Sequence, residues 1–155
     1  MLKSVEGNFD NYEVNELLTR HFVELRAASP EGSAHVLDIP GLKVPSIKFW
    51  SLWNKEKLIG CGALKFLDKE HGEFKSIRIH DDFRKQGQGI NVINHLINEA
   101  KKLKIKRLSI ETGASDFFIP ARKLFKRTGF IECEPFAHYK EDINSVYLTM
   151  LIDKF

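Results

Sequence analysis

Arg84-Lys85-Gln86-Gly87-Gln88-Gly89 is the stretch of this chain best equipped for chemistry. Two basic residues stand beside two glycines, and directly after them Ile90, Ile93, Leu96, Ile97, Ala100 and Leu103 recur at steps of three and four. That spacing predicts an amphipathic helix opening at about Ile90, with one stripe turned to a core. The first amides of such a helix lack intrahelical acceptors, and the macrodipole places partial positive charge at the same end. Gly87 and Gly89 carry no Cβ, so the backbone can take positive φ and a phosphate can approach those amides closely. The loop reads as an anion site, with Arg84 and Lys85 adding charge beside it.

Three phosphate cradles are candidates: a P-loop, a dinucleotide fingerprint and a coenzyme A pyrophosphate site. A P-loop needs Gly-Lys-Ser/Thr, whereas Gly89 is followed by Ile90 and Asn91. A dinucleotide fingerprint wants its first glycine where Arg84 stands. Neither pattern fits well. Arg84-x-x-Gly87-x-Gly89, entered from a strand ending Ile77-Arg78-Ile79 and left through an amphipathic helix, resembles the acetyl-CoA signature of the GNAT superfamily of N-acetyltransferases. A following strand, Arg107 to Thr112, and the run from Ala121 to Phe130 extend the likeness. That run is similar to the family's Ala-x-x-Leu-Tyr-x-x-x-Gly-Phe element, with Phe125 where tyrosine is usual. Good motifs span roughly residues 58 to 151.

The resemblance implies an α/β (α+β) domain with a mixed central sheet splayed between two parallel strands. It implies acetyl-CoA as cofactor, its pyrophosphate on the amides of Lys85, Gln86, Gly87, Gln88 and Gly89, near Arg84 and Ile90. The pantetheine arm is then expected to dock as a pseudo-strand on backbone groups freed at Ile77, Arg78 and Ile79. Phe118, where many members carry asparagine, is expected beside the pantetheine or the acceptor. An alkylamine acceptor is almost wholly protonated at neutral pH, roughly one part in a thousand being reactive, so a base helps. Glu73 is the expected base, since its place relative to Arg84 matches the carboxylate that serves histone-acetylating members. Strand parity puts Glu73 on the same side as Lys75, Ile77 and Ile79. Lys75 is expected to pair with Glu73 or touch substrate, and Glu111 to meet the acceptor ammonium. Phe125 cannot donate a proton to the departing thiolate, so Tyr139 is the expected substitute. His35 and Asp38 lie in a long loop that helps wall the acceptor site in this family. The acceptor is a small-molecule or peptide amine, and the resemblance allows a homodimer. Absence of the usual tyrosine also leaves open a non-catalytic acyl-CoA-binding regulatory module.

The elements that must position these residues are read from pattern. A chain of 155 residues with 43% hydrophobic and 29% charged composition suits one folded domain, residues 1–155. Net charge is +3, too small a surplus to argue for nucleic acid, and only Lys48 and Lys65 interrupt the aromatic strands. Cys61 and Cys133 show no metal-ligand spacing and suit a reducing compartment. With no signal-like apolar run and no span of membrane length, the protein is expected in the cytoplasm. Asn11 is a plausible N-cap for a helix carrying Val14, Leu17, Leu18, His21, Phe22 and Leu25, ended at Ser29-Pro30. Residues 31–46 read as loop; 47–54 and 57–67 as strands; 145–152 as a final strand, with a short edge strand at 2–5. Pro120 is expected to start the helix through Phe125.

Overall fold

The computed structural model describes residues 1–152. One seven-stranded sheet runs β1-β2-β3-β4-β5-β7-β6. Its strands are β1 (Lys3–Glu6), β2 (Ile47–Asn54), β3 (Lys57–Phe66), β4 (His71–Ile79), β5 (Arg107–Gly113), β6 (Ile131–Glu132) and β7 (Ser145–Leu151). The helices are α1 (Tyr12–Ala28), α2 (Ile39–Leu42), α3 (Gln88–Lys102) and α4 (Ile119–Arg127). Only β4 and β5 are parallel; the other neighbours are antiparallel.

Two cores form on opposite faces. Asn11 caps α1 through its side-chain oxygen, which accepts from the Val14 amide at 3.1 Å. The α1 stripe of Val14, Leu17 and Leu18 then packs with Leu42, Phe49, Leu58, Cys61 and Ala63. On the other face, Val92, Ile93, Leu96, Ile97 and Ala100 of α3 bury against Trp50, Leu64, Phe74, Leu108 and Leu148, with Phe125 of α4. Each such side chain removed from water is worth about 1.5–3 kcal/mol, so the apolar stripe fixes how α3 lies. The helix begins at Gln88, two residues before the expected Ile90. β1 is displaced by one residue from the expected 2–5, and the expected loop at 31–46 contains the short α2.

β4 departs from regular pairing on both of its sides. Ala63 faces Lys75 and Cys61 faces Arg78 across the β3–β4 ladder, so Ser76 and Ile77 together oppose Gly62. This is a β-bulge, and Ser76 takes φ +53 within it. The bulge overturns the expected strand parity. Ile77 and Ile79 pack with Phe74 toward α3, while Glu73 and Lys75 face the other way and Arg78 reaches α1. The second irregularity is the separation from β5. Paired positions are His71–Arg107, Gly72–Leu108 and Glu73–Ser109, and the pairing stops there. Beyond them β4 stays with β3 to Ile79–Gly60 and β5 stays with β7 to Gly113–Ser145.

Gly60 is required where the bulged strand crosses it, since a Cβ there would lie 2.6 Å from the Arg78 carbonyl oxygen. Gly60→Ala is therefore expected to cost about 1–3 kcal/mol and to lower the melting temperature by roughly 3–10 °C. Calorimetry checks this; an unchanged melting temperature would mean that β3 and β4 lie farther apart.

Candidate active site

The divergence of β4 from β5 opens a cleft of about 600 Å³. One end is the glycine loop. After β4, a short 3-10 turn at Asp81–Phe83 is capped by His80, whose Nδ1 accepts from the Asp82 amide at 3.1 Å. Arg84 pairs with Asp81 at 3.1 Å, and Gln86 Nε2 donates to the Asp82 carbonyl at 2.8 Å, tying the loop to that turn. Lys85 and Gly87 then take φ +61 and +78. Gly87 is the N-cap of α3 and supplies no side-chain acceptor, so the opening amides of the helix stay free for an external anion. Lys123 and Arg127, one turn apart on α4, also line the cleft. They were missed in the sequence, although a basic pair at i, i+4 on the helix facing a phosphate loop is a usable signal.

The middle of the cleft is apolar. Ile77, Ile79 and Ile90 line it, and Phe118 is buried there, edge-on to Phe117 at 5.0 Å. Phe125 also borders the space, and its buried ring meets Phe130 edge-on at 6.1 Å in the core. Arg78, whose backbone groups were expected along the cofactor, sends its guanidinium to α1. Its Nη1 donates to Glu24 at 2.9 Å and its Nη2 to Asp81 at 3.1 Å.

The other end gathers the titratable groups. Glu73 is 1% exposed at the last β4–β5 pair. Its Oε2 accepts from the Tyr139 hydroxyl at 2.6 Å and from Lys75 Nζ at 3.3 Å. Lys75 Nζ also donates to the Tyr139 oxygen at 3.1 Å. Among the described residues Glu73 Oε1 is buried without a partner. Burial, followed by the Glu73 charge and hydrogen bond, pushes the Tyr139 phenol far above its usual range, so the phenol keeps its proton. Glu111 lies on the same cleft, its Oε2 accepting from Ser145 Oγ at 2.8 Å, and burial raises its pKa despite that bond and the nearby His35 and Lys75.

His35 lines the cleft and meets Tyr139 edge-on at 5.1 Å. Asp38 does not join this group. It is exposed and caps α2, accepting from the Gly41 amide at 2.8 Å, so its carboxylate is used within its own loop. Tyr139, expected against a thiolate, is turned to Glu73 and held among Phe136, His138 and Tyr147. The cleft thus joins an anion-binding loop, an apolar channel and a buried carboxylate, which suits a phosphorylated carrier whose far end reacts with a basic acceptor.

Residues 11–130 match the family model for the GNAT acetyltransferase family, and the chain belongs to that family. It is 46% identical over 137 residues to the uncharacterized N-acetyltransferase YsnE of Bacillus subtilis (strain 168), covering 88% of this chain and 91% of that one. It is 37% identical over 139 residues to the uncharacterized N-acetyltransferase YedL of Escherichia coli (strain K12), covering 90% and 87%. Among solved structures, an acetyltransferase of Bacillus subtilis in complex with CoA superposes with TM-score 0.70 at 20% identity, covering 98% of this chain and 99% of that chain. Spermidine N-acetyltransferase from Vibrio cholerae, in complex with CoA and spermine, gives 0.67 at 16%, covering 97% and 94%.

Proposed function

We propose that this chain, as one domain, is an acetyl-CoA-dependent N-acetyltransferase with Glu73 as the base that prepares an amine. The observation that carries the reading is the separation of β4 from β5 beyond Glu73–Ser109, with free helix amides at one end and a partnerless carboxylate oxygen at the other.

The residues present fit the cofactor. The amides of Lys85 to Gly89 would hold the pyrophosphate, with Arg84, Lys85, Lys123 and Arg127 adding charge. Unpaired β4 backbone would meet the amides of the pantetheine arm, and Ile77, Ile79 and Phe118 would cover its apolar stretches. Acetyl-CoA, when bound, supplies a thioester whose carbonyl carbon takes the amine nitrogen, so that a C–N bond forms, the C–S bond breaks and free coenzyme A leaves.

Glu73 lines the cleft with one oxygen fixed by Tyr139 and Lys75 and the other without a partner among the described residues, the arrangement of an oriented base. It accepts the proton that the acceptor ammonium must lose. Tyr139 acts through Glu73 and is a positioning residue; a thiolate leaves near neutral pH without it, and solvent protonates the thiol. Lys75 holds the same carboxylate oxygen, and Glu111 and His35 face the acceptor. Phe125 serves packing, which removes the argument that its presence marks a non-catalytic module. The free Cys61 and Cys133 suit action in a reducing cytoplasm, and among the described residues no helix is long and apolar enough to cross a membrane.

Free-thiol release from acetyl-CoA across a panel of small amines tests the reading. Amine-dependent release is expected, and coenzyme A binding without release on any amine would contradict it. Tyr139→Phe removes one donor from a charged acceptor, a bond worth about 1.5–3 kcal/mol, and is expected to lower kcat roughly tenfold with the KM for acetyl-CoA unchanged. Steady-state kinetics check this; an unaltered kcat would show that Lys75 alone orients the carboxylate.

A further inference from the structure

Four buried side-chain polar atoms lack a hydrogen-bond partner among the described residues: His21 Nδ1, Glu73 Oε1, Ser76 Oγ and Arg78 Nε. All four belong to residues lining the cleft. A buried polar group left without a partner costs about 1–3 kcal/mol, so such atoms are seldom gathered in one place unless something else completes them. Glu73 is accounted for by the acceptor amine. The remaining three form a separate corner.

The corner is built by the bulge and by α1. Ser76 sits in the bulge at φ +53, and the extra residue turns Arg78 toward α1. His21 and Glu24 are one helical turn apart on α1, and Glu24 takes Arg78 Nη1 at 2.9 Å. His21 is 6% exposed and Arg78 5%. The two are near enough that the guanidinium, after burial itself, drives the His21 pKa down. His21 is thus a neutral imidazole at working pH, able to donate from one ring nitrogen. Arg78 Nε can only donate, and the Ser76 hydroxyl is free to do so. Three unpartnered polar atoms able to donate thus belong to residues that line the same cleft, and their common complement is an oxygen anion.

Charge decides which anion. Arg20, Arg78 and Arg84 are matched around the corner by Glu16, Glu24 and Asp81, three cations against three carboxylates. Among the described residues these pairs leave no surplus of positive charge between them to neutralise a doubly charged phosphate. Directed donors without excess charge suit a singly charged carboxylate.

We propose that the corner formed by His21, Ser76 and Arg78 is an acceptor subsite for a carboxylate, and that the acetylated molecule is an amine bearing a carboxylate. The proposal rests on the N-acetyltransferase reading for the amine end, placed at Glu73. A site built on buried donors rejects an analogue that leaves them unpaired, by factors far larger than an apolar pocket gives.

The test uses the full chain with acetyl-CoA and three matched sets of probes: α- and ω-amino acids, their carboxamides, and the corresponding amines lacking the carboxylate. Free-thiol release gives kcat/KM, and calorimetric titration of the same probes into the protein loaded with coenzyme A gives binding. The amino acids are expected to exceed their carboxamides at least tenfold in kcat/KM. Ser76→Ala is expected to bring that ratio toward one. Arg78→Lys, which keeps a cation for Glu24 and Asp81, is expected to do the same, whereas a merely structural loss lowers both members of each pair alike. Turnover of carboxamides or plain amines equal to that of amino acids overturns the subsite and leaves the acetyltransferase reading standing. Carboxylate-selective binding without thiol release upholds the subsite and overturns that reading.

Discussion

Glu73→Gln lowers kcat for acetyl transfer by about a hundredfold or more at neutral pH while the KM for acetyl-CoA stays within twofold, the range expected when a positioned general base is lost. The substitution is nearly isosteric. Glutamine keeps an oxygen for the Tyr139 hydroxyl and for Lys75, both of which now meet Oε2 at 2.6 and 3.3 Å, so the fold and the neighbouring hydrogen bonds survive. What disappears is the capacity to take a proton. An alkylamine with a pKa near 10 supplies its own reactive form as pH rises, so the deficit shrinks between about pH 7 and 10. Initial rates of thiol release across that range provide the check. Full activity of the variant at pH 7 on the physiological acceptor would remove Glu73 from this role and pass it to Glu111, the other cleft carboxylate.

Acid lability is the second large effect, and His21 sets it. Burial, then the charges of Arg78 and Arg84, lowers its pKa from 6.5 to about 3. The unfolded chain therefore binds a proton that the folded chain refuses, and stability falls as pH drops from about 6.5 toward 3. Full development of this linkage is worth up to roughly 5 kcal/mol, a large share of a domain's stability. Burial also lowers the His71 pKa and adds to the same limb. Asp81, Asp68, Asp142 and Glu132 are held below their usual values as well, so they withdraw support at lower pH, as each is protonated below its ordinary value of 3.8 or 4.5. In the window from pH 4.5 to 6.5 the histidines act against Glu111, whose carboxyl, raised by burial, takes up its proton in the folded chain first and so offsets part of the fall. Urea unfolding at half-unit steps is expected to show midpoints falling through that window, and His21→Asn to flatten most of the slope. Equal slopes in the two proteins would contradict the burial of a neutral imidazole at this position.

What the sequence disclosed was local. The cap at Asn11, the apolar stripe of α3 and the glycine loop depend on residues a few positions apart, and each is where its spacing places it. The separation of β4 from β5 came only through family resemblance, because no residue in either strand announces that pairing will stop after Glu73–Ser109. The glycine at the bulge, Gly62, stands in the partner strand and not at the bulged residue itself. Ser76 holds positive φ with an ordinary side chain, and that single residue reverses the side on which Ile77, Arg78 and Ile79 lie. The Arg78 side chain accordingly joins α1 to the Asp81 turn, whereas its expected part in the cofactor site concerned backbone groups alone. The Tyr139–Glu73 contact spans 66 positions, and nothing short of the folded chain fixes whether a loop tyrosine faces a carboxylate or a thiol. His21 was read as one more member of the α1 stripe. It is buried as that stripe requires, and only the tertiary arrangement shows its ring opening on the cleft.

The most direct measurement is a crystal structure of the protein soaked with coenzyme A. The diphosphate is expected within hydrogen-bond distance of the amides from Lys85 to Gly89, the pantetheine between β4 and β5 past Glu73, and the sulfur at the end of the cleft that holds the Glu73 carboxylate. Coenzyme A bound elsewhere on the molecule, or β4 and β5 closed against each other beyond Ser109, would contradict the account.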